Sequence, residues 1–178
     1  GHQVARVCDA LATLGHDVTI FAPFRKNPVQ GTYHAFHGAD QRVHIRHLGR
    51  FDPIDHPLVP KIVQLPLLNR QMRMLLAREL TKDRFDVIYT RTPALVPVLI
   101  RSGLPVILEL HALPQHHHLR FAHWCNRCAL VICLTRPMRD ELESWGMKPK
   151  HILVEGDAVN IERFANMPST EQAKREFQ

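Results

Sequence analysis

Between Asp86 and Glu155 the hydrophobic period of the chain switches at short, even intervals. The run reads "DVIYT", "ALVPVLIRSG", "PVILEL", "HHHLRFAHWCNRC", "LVICLT", "PMRDELESWG", "HILVE". The short runs are apolar at consecutive positions, as a strand buried on both faces requires. The stretches between them are helical in period and too long for hairpin turns, so each carries the chain back to start a parallel neighbour. Right-handed strand-helix-strand units follow, building an α/β domain with a mostly parallel sheet and helices on both faces.

The first third extends this pattern less regularly. "VARVCDALATLG" has Val4, Val7, Cys8, Leu11 and Leu14 at helical spacing, with Gly15 as a left-handed stop. "DVTIFAP" is a strand ended by Pro23, and residues 24 to about 40 read as loop. "VHIRHL" is a second strand, followed by an irregular stretch with Pro53, Pro57 and Pro60. A longer helix is predicted from Pro66, with proline in its first position. Leu68, Met72, Leu75, Leu76 and Leu80 form its inward stripe, and Arg70, Arg73 and Arg78 point away. The chain opens in a helix whose Gly1 resembles the end of a tight loop, and "STEQAKREFQ" begins another helix, so the reading expects a fragment whose first strand is missing.

Composition removes several classes. At 45% hydrophobic and 22% charged residues the chain is globular. No apolar run approaches the roughly 18–20 residues of a membrane span, and the start lacks the pattern of a signal peptide. Cys8, Cys125, Cys128 and Cys133 suggest no disulfide framework, which fits reduced thiols and a cytoplasmic setting. A formal charge of +6 suits an anionic partner. The basic residues are spread and not interleaved with aromatics, which argues against nucleic acid. The histidine-rich stretch 109–128 raises the question of zinc. On a helix, Phe121, Cys125 and Cys128 share one stripe and face the core, while consecutive His116, His117 and His118 diverge, so no metal is expected.

Ligands of open parallel sheets bind beyond the carboxyl ends of the strands. Those ends carry Arg91, Glu109 with His111, Thr135 and Glu155. Glu109 and His111 lie two apart and share a face, where a carboxylate and an imidazole can orient a hydroxyl or exchange a proton with it. The alternative is that Glu109 closes a local hydrogen-bond network and His111 is a polar loop residue.

Taken in order, "GHQVARVCDALATLGHDVTIFAP", "DVIYTR", "VILELHALP", "ALVICLT" and "LVEGDAVNIERF" resemble the amino-terminal half of family 4 glycosyltransferases, retaining enzymes of the GT-B fold. The resemblance covers nearly the whole chain and is weakest from about Phe24 to Pro66. It implies a Rossmann-like domain over 1–164, with 165–178 starting a linker or a second domain. It also implies transfer of a sugar from a nucleotide-sugar donor, with this half on the acceptor side and no cofactor or obligatory metal. Gly1 matches the end of the family's glycine-rich loop near the donor diphosphate. His111 matches its histidine at the transferred sugar or acceptor, and Thr135 a small hydroxyl residue ending the next strand. Asp157 to Phe164 matches the segment leading to the linker. Arg91 and Glu109 are expected acceptor contacts. Asn160 stands where aspartate is usual, and the family's pair of glutamates separated by seven residues is absent. By itself the chain is expected to be inactive. Rival readings are one half of a sugar-nucleotide epimerase and a non-catalytic nucleotide- or sugar-binding module; no P-loop or GxGxxG motif is present. Arg70, Arg73 and Arg78, near proline-rich loops that offer Leu58 or Val59 for insertion, suggest peripheral contact with an anionic membrane and a lipid-linked acceptor. The alternative is a solvated basic face.

Overall fold

Residues 2–26, 31–37, 41–148, 151–157 and 174–175 are described in a computed structural model of the chain. Helix α1 (His2–Thr13) leads to strand β1 (Val18–Pro23), helix α2 (Tyr33–His37), β2 (Val43–Leu48) and the long helix α3 (Lys61–Glu79). Then follow β3 (Ile88–Thr90), a 3-10 turn (Pro93–Leu95) running into α4 (Val96–Ile100), and β4 (Val106–Leu110). Helix α5 (His118–Cys125), β5 (Leu130–Cys133), α6 (Arg136–Ser144) and β6 (Ile152–Val154) complete the order. The strands fall into two parallel sheets, β1-β2 and β3-β4-β5-β6. In each sheet the carboxyl ends therefore share one rim.

Alternation along the four-stranded sheet sorts its faces. Val106, Leu108, Leu110, Val131 and Cys133 are buried against a cluster that includes Met72, Leu76, Val96, Cys125 and Leu142. The other face carries Tyr89, Ile107, Glu109, Leu130 and Ile132, and its apolar members are only partly covered by described residues. Leu48 joins the main cluster, whereas Cys8, Ala12 and Val43 form a smaller one under α1. All four cysteines are free and buried. Burial pushes the Cys8 and Cys128 thiols up to about 11, so they remain protonated and inert at neutral pH.

Several sequence expectations need correction. Helix α3 begins at Lys61, with Pro60 as its N-cap, so Pro66 lies inside the second turn. The missing N–H there removes one bond, and burial of Gln64, Met72 and Leu76 holds the helix together through it. The region from Phe24 to Asp40 is not loop throughout, because the Thr32 hydroxyl accepts from the Ala35 amide and starts α2. Helix α5 starts only at His118, after His117 takes a left-handed φ of 61°, and it ends before Cys128. Cys128 is nonetheless buried, with its thiol directed at the Trp124 carbonyl. In α1 the buried face is Ala5, Cys8 and Ala12, while Leu14 is 75% exposed, since small residues allow the helix to approach β1 and β2 closely. Gly15, at φ 91°, ends the helix as expected, with His16 N–H bonded to the Leu11 carbonyl and Gly15 N–H to that of Ala12. Gly1, Asn160 and the rest of 158–164 lie outside the described residues, as does the predicted last helix apart from 174–175.

The loops after β1 and β2 are tied by Asp52. Its carboxylate accepts from Arg25 Nε at 3.0 Å and from the amides of Lys26 and Ile54 at 2.8 and 3.0 Å. Burial pushes this carboxyl up, but those donors outweigh it and hold it below the ordinary 3.8. A carboxylate with a lowered folded value stabilises the fold above its unfolded value, and that contribution is lost as pH falls through the lowered one. Asp52→Asn should therefore lower the urea midpoint at neutral pH. The gap from the parent should close on acidification below about 4. A gap that is independent of pH would reject this account.

Candidate functional site

Strand register assembles the site. Thr90 pairs with Leu108, so Arg91, one residue beyond β3, stands beside Glu109. Tyr89, Arg91, Glu109 and His111 all point to the same face of the sheet, at or just beyond the carboxyl rim. Glu109 is the hub. Its carboxylate accepts from the Tyr89 hydroxyl and from His111 Nε2, and lies 3.1 Å from the Arg91 guanidinium. Arg91 also donates to Gln3 Oε1 at 2.9 Å and to His111 Nδ1 at 3.0 Å. Gln3, in the first turn of α1, hydrogen-bonds Asp157 just past β6. One network thus joins α1, β3, β4 and the segment after β6.

The hydrogen bonds define the state of the imidazole. Nε2 carries the proton, given to Glu109, while Nδ1 is an acceptor facing a guanidinium. Glu109 is paired with the Arg91 guanidinium. Burial, together with the adjacent carboxylate, pushes the Tyr89 phenol well above its usual value, so it stays a donor at any physiological pH. Glu109 is only 8% exposed at its side chain and His111 31%, so the carboxylate sits behind the imidazole.

A cavity of about 490 Å³ opens beside this cluster, between α1 and the less covered face of the sheet. Gln3 and Ala10 line one wall, Tyr89, Glu109 and Ile132 the other, and Glu155 and Asp157 its edge. That volume lies within the usual range for small-molecule sites, and the wall mixes apolar surface with a few convergent polar groups. Glu109, His111 and Asp157 bring donor atoms within 4.8 Å of one another and are able to hold a cation. Of the three, Glu109 is already paired with the Arg91 guanidinium.

The structure therefore brings Arg91, Glu109 and His111 together. Thr135 is elsewhere: it is the N-cap of α6, where its hydroxyl accepts from the Met138 amide. Tyr89 and Gln3 were missed by the sequence reading, and Asp157 was placed only in a connecting segment. Tyr89 was detectable in principle, being two residues before Arg91 and hence on its face; Gln3 had no local signal.

Comparison with known proteins bears on the fold and the family. No curated protein matches by sequence. Among solved structures, the chain is similar to Anabaena Alr3699/HepE in complex with UDP (TM-score 0.59, 15% identity), over 99% of this chain and 46% of that one. It is similar also to the UDP-glucose complex of the same protein, with TM-score 0.57, 16% identity and the same coverage. At such identities the likeness establishes the fold, and this chain spans a little under half the length of those structures. The family model for Glycosyltransferase Family 4 matches residues 1–163. On that match, over nearly its whole length, the chain belongs to glycosyltransferase family 4.

Proposed function

We propose that this domain forms the acceptor side of the cleft of a retaining glycosyltransferase that uses a nucleotide-sugar donor. The observation that carries the reading is the Glu109–Arg91–His111 cluster at the sheet rim, beside an open cavity. The UDP and UDP-glucose named for the similar solved structures support a nucleotide-sugar donor. In the reaction the bond from the anomeric carbon to the diphosphate oxygen breaks. A bond forms from that carbon to the acceptor hydroxyl oxygen, and the hydroxyl proton leaves with the diphosphate.

The roles of the side chains follow from their bonds. An acceptor hydroxyl at the rim beside the cavity competes with Arg91 for Nδ1 of His111, which accepts its hydrogen bond and orients it until the proton passes to the departing diphosphate. Glu109 keeps the imidazole in the Nε2–H tautomer that leaves Nδ1 free to accept. Arg91, released from Nδ1, still balances Glu109 and offers donors to the acceptor. By the family resemblance Gly1 meets the donor diphosphate, and Thr135 meets the substrate from the start of α6, where its hydroxyl already accepts from the Met138 amide. The acceptor is a sugar or a lipid-linked compound, reached with peripheral contact to an anionic membrane.

Incubation with a panel of nucleotide sugars tests the reading. The 178-residue chain should release no nucleotide and transfer no sugar, whereas the full-length enzyme should do both and retain the anomeric configuration, read by NMR of the product. Turnover by this chain alone, or an inverted product, would defeat the proposal.

A further inference from the structure

The residues from Pro57 to Pro66, the loop into α3 and its first turns and here called its tip, turn most of their large apolar side chains to solvent. Leu58 is 86% exposed, Ile62 84% and Leu65 60%, and Val63 beside them is 43% exposed. Leu14 and Leu119 are equally exposed, but each stands apart in sequence on a different helix or its end, which is ordinary for a protein surface. Here four exposed aliphatics fall within the eight residues from Leu58 to Leu65, and the backbone beneath them is braced. Buried Gln64 donates from Nε2 to the Val59 carbonyl at 2.9 Å, and its Oε1 accepts from the Asp55 amide at 3.1 Å. The Val59 amide bonds the His56 carbonyl at 3.0 Å, and Asp55 holds a left-handed φ of 56°. Such bracing fixes the loop with its leucine outward.

Charge identifies what the tip meets. From residue 53 to 78 the sequence holds Lys61, Arg70, Arg73 and Arg78 against the single acid Asp55. Pro60 caps α3 without a side-chain hydrogen bond, so the first-turn N–H groups add positive potential to the same end. At 100° per residue Ile62, Pro66, Arg70 and Arg73 fall on one outward stripe, with the apolar members nearest the tip. Arg78 is different, lying about 24 Å along the axis from Ile62. Arg73 spends its Nε on the Ala94 carbonyl, 2.8 Å away, and so anchors α3 to the turn after β3. The three-arginine surface of the sequence reading thus becomes an apolar point with Lys61 and Arg70 behind it.

We infer that this tip inserts into the headgroup region of an anionic lipid bilayer, with Leu58, Ile62 and Leu65 as the wedge and Lys61 and Arg70 on the surface phosphates. Gly49, just past β2, lies against Gln71 and Leu75 of α3, and Arg73 bonds the turn after β3, so the helix meets the carboxyl rim at its middle and its first turns lead away from it. Insertion of its tip holds the domain at the bilayer, where a lipid-linked acceptor stands. The inference rests on the sugar-transfer reading only for that use of the membrane.

Sedimentation with vesicles of phosphatidylcholine, alone or mixed with phosphatidylglycerol, tests it. The chain should pellet with the mixed vesicles and much less with the neutral ones, and salt should weaken the binding. Leu58→Ser, Ile62→Ser and Leu65→Ser together should weaken it about tenfold or more. Lys61→Gln with Arg70→Gln should do likewise. These positions are exposed, and circular dichroism checks that each variant folds. Depth gives a second readout: in Leu58→Trp, emission should shift to the blue and be quenched by brominated lipid. Absent binding, binding indifferent to the serine variant, or an unquenched tryptophan would overturn the wedge. So would concentration-dependent dimerisation abolished by the serine changes, which would reassign the tip to a second copy of the chain. Sugar transfer to a soluble acceptor does not depend on the tip, so its persistence in the serine variant separates failure here from failure of the functional reading.

Discussion

His111→Ala should lower turnover of the full-length enzyme by about 10²-fold or more, with little change in the urea midpoint. The imidazole is partly exposed at the rim, and among the described residues its two nitrogens meet only Glu109 and Arg91, so its removal leaves no apolar cavity. In the proposed function its value lies in aiming one acceptor nitrogen at the incoming hydroxyl. A loss in kcat with the donor KM unchanged is the expected split, because the proposed function assigns the donor to other groups. His111→Asn keeps a hydrogen-bonding side chain and should recover part of the rate. An unchanged kcat in the alanine variant would return His111 to the role of a polar loop residue.

Glu109→Ala should be damaging in a different way, lowering stability by about 2–3 kcal/mol and activity with it. The carboxylate accepts from Tyr89 and His111 and neutralises Arg91, all within a largely buried cluster. Without it the phenol and the guanidinium lose their partner, and the imidazole is free to rotate. Glu109→Gln retains an acceptor oxygen and should fall between the two in stability. The protein has two tyrosines, so the phenols can be followed by ultraviolet titration. Loss of the adjacent carboxylate should bring Tyr89 down toward the ordinary tyrosine range. A variant as stable as the parent, with its tyrosine titration unaltered, would show that the cluster does not form in solution.

The two arms of the cluster differ in how far they could be foreseen. Glu109 and His111 are on one strand and its continuation, two residues apart, so alternation alone put them on one face. Arg91 was nominated only as the residue ending another strand. Its contact with Glu109 depends on the β3-β4 register, which is set by how Ile88 and Val106 pack into the shared core. Gln3 and Asp157 are 154 residues apart and meet through a fold-level coincidence of a helix start and a strand end. The misplaced start of α3 has a related cause, because a proline inside a helix is a local defect that Gln64, Met72 and Leu76 offset by burial elsewhere.

By itself the sequence determined the kind of every element but α2, their order and their parallel direction, because period and apolar content act over a few neighbouring residues. It determined the buried cysteines and the inward leucines of α3 for the same reason. Only the tertiary structure decided that the strands divide into two sheets and that one face of the larger sheet is left open beside α1. It alone joined Arg91 and Gln3 to Glu109, and turned Leu58, Ile62 and Leu65 outward while Gln64 went in. Those outcomes depend on register and on competition between distant surfaces for the same core, and no local pattern records either.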